Sequence, residues 1–210
     1  MTAKLTGEDA ERLRACVADG GVAVFPTDTV YGVCCDPDDD AAAQRLYGLK
    51  GRPPARPAAV MFFALEPALR ALADLSLSER NALRALLPGP VTLLIENRSS
   101  DFLAACRSDP ATLGLRVPWL PEELQALCAI GDAVMQTSAN LSGEPDACKL
   151  ADVPPMLREG ADVVLDGGTL PGTPSTVVDL RDYDARGEWH VLREGALATE
   201  AVRELLREAR

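Results

Sequence analysis

With 210 residues, 47% apolar and 25% charged, the chain has the composition of a folded protein with a real core in one domain. A formal net charge of −11 argues against sequence-independent binding along a nucleic-acid backbone, which draws on many lysine and arginine contacts, but permits a local cationic pocket. No apolar run approaches the ~20 residues of a membrane-spanning helix. Residues 1–8 lack the apolar stretch of a secretory signal, so the sequence reads as cytoplasmic.

Thr6 followed by Asp9 has the form of a capping box, and Leu13, Cys16 and Val17 give an apolar helix face that ends at Asp19-Gly20-Gly21. Residues 22–25 (VAVF) read as a buried strand ended by Pro26, which cannot donate to a ladder. The hydroxyls of Thr27, Thr29 and Tyr31 then fall just past a strand end. Residues 38–49 read as a helix, acidic at its start, with Ala42, Leu46 and Leu49 near one face. It runs into Lys50-Gly51-Arg52-Pro53. Taken singly, PTDT reads as a turn with an Asx-type hydrogen bond, and KGRP as a helix C-terminus with cations at the negative dipole end. Together they offer three hydroxyls and two permanent cations to a phosphorylated substrate.

Residues 58–63 form a compact apolar run of strand length, and 67–75 and 78–87 read as helices, the second ended by Pro88-Gly89-Pro90. Strands are expected at 91–96, at 113–117 with Arg116 just before Pro118, and at 133–137, running into Ser138-Ala139-Asn140. A short helix is expected over 121–130, with proline and two glutamates suiting its first turn. Helical turns at 154–159, a strand at 162–165 and a Gly- and Pro-rich loop to Ser175 follow. Residues 176–180 and 188–193, separated by a polar segment, have hairpin spacing. Residues 199–210 close the chain as an amphipathic helix with Val202, Leu205 and Leu206 inward. This mixture predicts a single α/β domain over 1–210 with a mixed sheet.

Neither GxxxxGK[ST] nor a GxGxxG after the first strand is present, so any nucleotide must be held by another device. Polar residues at strand ends are the candidates: Thr29, Tyr31, Thr92, Arg116, Ser138, Asn140, Ser175 and Arg193. Ligands of α/β proteins commonly lie there, although such residues also satisfy loop backbone. The six cysteines include no CxxC pair and there is one histidine, so a zinc site is not expected and reduced core thiols are. A lone histidine, His190, also argues against a Ser-His-Asp or Cys-His hydrolase, and its strand-like neighbourhood points to a structural role.

Seven blocks in order carry a resemblance: PTDTVYG at 26–32, KGRP at 50–53, PGPVT at 88–92, RVP at 116–118, TSANLSG at 137–143, PSTVVD at 174–179 and LREG at 192–195. On these the chain resembles the YrdC-like threonylcarbamoyl-AMP synthase family, of the tRNA N6-threonylcarbamoyladenosine (t6A) pathway. The resemblance implies a twisted mixed sheet flanked by helices around a deep, locally positive cavity. It also implies a nucleotidyltransferase that joins L-threonine, bicarbonate and ATP into threonylcarbamoyl-AMP and pyrophosphate with Mg²⁺. Carried over residue by residue, Lys50 and Arg52 are the catalytic cations. Arg52, Arg56, Thr92, Ser138, Asn140 and Arg193 are the expected ATP contacts, and Thr29, Tyr31, Arg116 and Ser175 the threonine contacts. No residue is singled out as a metal ligand. Expected partners are tRNA or double-stranded RNA and the downstream t6A transferase proteins.

The chemistry suits these residue types. Threonine's amine is carboxylated by bicarbonate, and the carbamate oxygen attacks the α-phosphate, so fixed cations and a metal stabilise charge on the phosphoryl oxygens. Positioning and electrostatics carry such a reaction without a nucleophile or histidine base. Arg56 stands where the family often has lysine or asparagine, and its reach differs from lysine's. The chain stops soon after LREG, as in the short, single-domain form of the family. Two other readings stay open: a related carbamoyl-adenylating enzyme, as in hydrogenase maturation proteins, and a non-catalytic binder of double-stranded RNA.

Overall fold

A computed structural model of the chain describes residues 4–51, 53 and 55–209. The first helix, α1 (Gly7–Ala18), starts where expected, because Thr6 and Asp9 cap each other reciprocally, and it buries Ala10, Leu13 and Val17. Strands β1 (Ala23–Pro26) and β2 (Tyr31–Cys35) then form an antiparallel hairpin in which Pro26 faces Tyr31. Tyr31 is therefore the first residue of a strand and not part of the loop. The connecting turn is held by the Thr27 hydroxyl, which accepts from the amides of Thr29 and Val30. The expected Asx-type bond is absent among the described residues because the Asp28 carboxylate is drawn to Arg116 and to the Trp119 amide.

Helix α2 (Asp40–Leu49) begins two residues later than the sequence predicts, since Asp39 is its cap and accepts from Ala41 and Ala42. Strand β3 (Ala59–Met61) is followed by α3 (Leu65–Ala71) and α4 (Leu77–Leu86), the latter opened by a Ser76–Glu79 capping box. Helix α3 lies earlier than the expected 67–75, with Pro67 in its first turn, where no amide donor is required. Strand β4 (Val91–Glu96), the four-residue α5 (Leu103–Cys106), β5 (Thr112–Arg116) and β6 (Val134–Ser138) complete the centre. Residues Glu122–Ala129 wind as a 3-10 helix. After α6 (Pro155–Gly160) come β7 (Val163–Val164), β8 (Thr176–Asp179), α7 (Tyr183–Arg186), β9 (His190–Arg193) and α8 (Thr199–Glu208). Helices α5 and α7 were not legible as helices, being single turns inside segments that read as loops.

Among the described residues, nine strands make one mixed sheet in the order β7-β1-β2-β6-β3-β5-β4-β8-β9. Three neighbour pairs run parallel, β1 with β7, β3 with β5 and β4 with β8. Alternation along the central strands sorts the side chains by face. Val60, Leu93, Ile95, Leu113, Leu115, Met135 and Val178 are all essentially fully buried in the core. Residues of the other parity on these strands face the opposite way, among them Thr92, Arg116 and Ser138. Helix α8 buries Val202 and Leu206, while Leu205 is half-buried.

All six cysteines are free, but only Cys34, Cys35 and Cys106 are core thiols; Cys16 and Cys148 are half-buried and Cys128 is exposed. His190 is exposed on the edge strand, opposite Asp179. Among the described residues, no helix is long and apolar enough to cross a membrane.

Asp162 joins three elements at the sheet edge: it accepts from the Val22 amide at 2.8 Å and from both terminal nitrogens of Arg45 at 2.6 and 3.0 Å. The Arg45 hydrogen bond, then that from Val22, holds its carboxyl below the ordinary value of 3.8. The stability it contributes is full above the ordinary carboxylate range and is lost as pH falls through the depressed folded value. Its side chain is 46% exposed, so screening limits the effect to about 1 kcal/mol or less. Urea denaturation at pH 7 and pH 3 should show a smaller acid loss in Asp162→Asn than in the unmodified protein; equal losses would exclude this role.

Candidate active site

The polar face of the sheet carries a cavity of about 340 Å³, within the range of small-molecule sites. Strand register explains its floor. Gln136, Ala59, Gly114 and Leu94 lie side by side across β6, β3, β5 and β4, and all four line it. Two small residues in the middle of that row leave the space. A Cβ at Gly114 would meet Ala59 no closer than 3.4 Å, so the glycine is not required by backbone crowding. Any longer side chain there would stand in the cavity.

At one end sits Arg116, the last residue of β5 and only 4% exposed. Its Nη2 donates to Asp28 Oδ1 at 2.5 Å, to Thr29 Oγ1 at 2.5 Å and, at the limit of 3.5 Å, to Thr27 Oγ1. The Asp28 side chain is equally buried, and its other oxygen accepts from the Trp119 amide at 3.1 Å. A guanidinium buried this deeply needs a counter-charge, and Asp28 supplies it.

Beside Arg116 the wall is continued by β4, β8 and β9. The Thr92 and Ser175 hydroxyls lie 2.9 Å apart, and Arg193 Nη2 donates to the Ser175 carbonyl at 2.7 Å. A register shift between Val177 and Val178 sets Arg193 opposite Val177, which faces the cavity. Gly195 makes this possible by close approach: a Cβ there would lie 2.2 Å from the Pro174 carbonyl oxygen. The glycine of the LREG block thereby holds the strand carrying Arg193 against Ser175.

Lys50 caps the C-terminal end of α2 at 2% exposure. Its ammonium donates to the Ser138 carbonyl and, at 3.3 Å, to Asn140 Oδ1, while the Ser138 hydroxyl donates to the same Asn140 oxygen at 2.6 Å. A cation here ties the turn after β6 to the end of α2.

Of the residues predicted from sequence, Thr92, Arg116, Ser138, Ser175 and Arg193 line the cavity. Thr29, Lys50 and Asn140 stand behind its wall, each bonded to a lining residue. Tyr31 does not reach it. Its hydroxyl lies 3.0 Å from Asp166 Oδ1 and 2.9 Å from the Gly168 carbonyl, and burial, followed by the Asp166 contact, raises its pKa. Tyr31 braces the loop after β7. Arg56 is exposed and is not among the lining residues, because the chain turns so that Pro57 and Ala58 face the cavity instead. Arg52 lies outside the described residues.

Sequence reading missed Asp28, Thr112, Gly114, Gln136, Thr137, Asp109 and Asp146. Thr112, Gly114 and Gln136 were available from strand parity, at even spacing from Arg116 and Ser138. The charged residues that line the cavity are Arg116, Arg193, Asp109 and Asp146. A second cavity of about 270 Å³ lies beside Asp28, between Trp119, Pro121 and Leu170, and shares only Thr27 with the first.

Residues 15–195 match the Sua5/YciO/YrdC family model, described as "Telomere recombination". The threonylcarbamoyl-AMP synthase of Chromohalobacter salexigens is 36% identical over 181 residues, covering 83% of this chain and 95% of that protein. Among solved structures, P. abyssi Sua5 complexed with L-threonine superposes with a TM-score of 0.82 at 25% identity, over 96% of this chain and 58% of that one. The chain thus spans less than two thirds of that relative. E. coli YciO superposes at 0.74 over 96% of both chains, and its 24% identity bears on the fold alone.

If the floor row sets the cavity's size, Gly114→Leu should leave the cooperative melt within a few degrees of the parent while abolishing nucleotide binding. Calorimetric titration beside thermal denaturation checks this. Retained binding in the folded variant would show that ligands lie elsewhere.

Proposed function

The chain belongs to the Sua5/YciO/YrdC family, and from that premise we propose that it is a threonylcarbamoyl-AMP synthase, joining L-threonine, bicarbonate and ATP into threonylcarbamoyl-AMP with release of pyrophosphate. One observation carries the reading. A single cavity is lined by two arginines, the buried Arg116 beside the threonine-rich turn and the exposed Arg193 beside Ser175, with Thr92 and Val177 between them in register. Two cations in one cavity suit the carboxylate of an amino acid and the phosphates of a nucleotide, with the reacting atoms between them.

In this scheme Arg116 receives the α-carboxylate of threonine, and the amine faces the middle of the cavity. Carbamate formation there places an oxygen anion against the α-phosphate of ATP held toward Arg193, Thr92 and Ser138. Transfer of the adenylyl group makes the enzyme a nucleotidyltransferase. Lys50 acts from behind the wall by fixing Ser138 and Asn140, so its contribution is geometric as well as electrostatic. Arg52 completes the cationic pair of the KGRP block.

Among the described residues there is no group of three His, Cys, Asp or Glu side chains that could hold a metal. Mg²⁺ needs no such cage: it keeps several waters and uses one or two carboxylates with substrate phosphates. Asp109 and Asp146, in the cavity lining, are the donors that fit it. Bound with the triphosphate, the ion would neutralise charge on the phosphoryl oxygens. The product is then consumed by t6A transferase proteins acting on tRNA in the cytoplasm. The balanced charges of the lining and the net charge of −11 give a pure double-stranded RNA binder little to work with.

Pyrophosphate release by the purified protein should require ATP, Mg²⁺, bicarbonate and L-threonine together, and should fall roughly 100-fold in Lys50→Ala through misplacement of Ser138 and Asn140. Release indifferent to threonine would contradict the assignment.

A further inference from the structure

We propose that Asp28 is a positioning residue for the amino-acid substrate, acting through Arg116; the proposal rests on the reading above that threonine's carboxylate binds at this end. Asp28 belongs to the turn between β1 and β2, Arg116 to the end of β5, and Trp119 to the segment that follows. One carboxylate joins all three, with Oδ1 on Arg116 and Oδ2 on the Trp119 amide. Both side chains of the ion pair are at most 5% exposed.

The pattern of donors on Arg116 is lopsided. Nη2 is surrounded by Asp28, Thr29 and Thr27, whereas Nε is buried without a partner and Nη1 makes no hydrogen bond among the described residues. A buried donor left unmade is costly and calls for an acceptor. The guanidinium is therefore clamped by one nitrogen while its other donors wait in a cavity-lining residue. Nε–H and Nη1 lie on opposite edges of the guanidinium, so a substrate carboxylate would accept a charge-assisted hydrogen bond from one of them. Asp28 sets which donors remain, and supplies the counter-charge that a cation buried this deeply requires.

With Asp28→Asn the neutral amide can no longer balance Arg116, and its nitrogen would face the Trp119 amide donor. The KM for L-threonine should rise at least tenfold while that for ATP stays within twofold. In an Arg116→Met background the added Asp28→Asn change should alter the threonine KM less than twofold, since the residue through which it acts is gone. A purely structural role would instead lower the melting temperature and move both substrates together, and that result would overturn the proposal.

Should Asp28→Asn fail to fold, the Arg116 Nε–H and Nη1–H resonances of the unmodified protein decide. One of them should shift and become protected from exchange on addition of L-threonine; no response from either in protein that turns threonine over refutes the proposal. Should the unmodified protein show no threonine-dependent turnover, the substrate reading fails separately. Asp28's hold on Arg116 is then read from Nε–H exchange in the variant, where an unchanged rate overturns it.

Discussion

An arginine buried at the end of a central strand imposes the strictest condition on this structure. Leaving either member of such a pair uncompensated costs about 3–5 kcal/mol, so Arg116 and Asp28 have to meet. Their meeting decides the path of the turn between β1 and β2, because Asp28 cannot serve that turn and the charge pair at once. The Thr27 hydroxyl takes over the turn amides, and Thr29 is turned onto the guanidinium. The following segment is fixed by the same carboxylate through Trp119. A single electrostatic requirement thus links three stretches distant in sequence at one end of the cavity.

The remainder of the site follows from the sheet. Strand alternation sends a continuous apolar layer to one face and leaves the other for small and polar side chains, of which Ala59 and Gly114 keep the floor low. Cations are placed with economy. Arg193 reaches in from an edge strand that Gly195 allows to lie against Pro174, and Lys50 stays behind the wall as a tie. For a reaction without a protein nucleophile, rigid placement of this kind is where the rate enhancement has to come from.

Much of this was legible in the sequence, for identifiable reasons. Capping pairs at Thr6–Asp9, the apolar runs and the seven motif blocks located the elements and the family. What sequence could not supply was side-chain destination. Tyr31 stands two residues past Thr29 in the motif, yet it opens β2 and its hydroxyl goes to Asp166 in the loop after β7. Arg56 follows a cationic block but lies on a turn that faces away. Asp28, next to the expected ligand Thr29, was passed over because its partner is 88 positions away. The 3-10 winding of Glu122–Ala129 and the single-turn helices depend on packing that periodicity does not encode.

The most direct test of this account is the position of L-threonine in a crystal structure of its complex with the protein. The threonine carboxylate is expected on an unengaged donor of Arg116, with the amine toward the middle of the cavity. L-Threonine found instead in the cavity beside Trp119, or with both Nε and Nη1 of Arg116 still lacking an acceptor, would contradict the account.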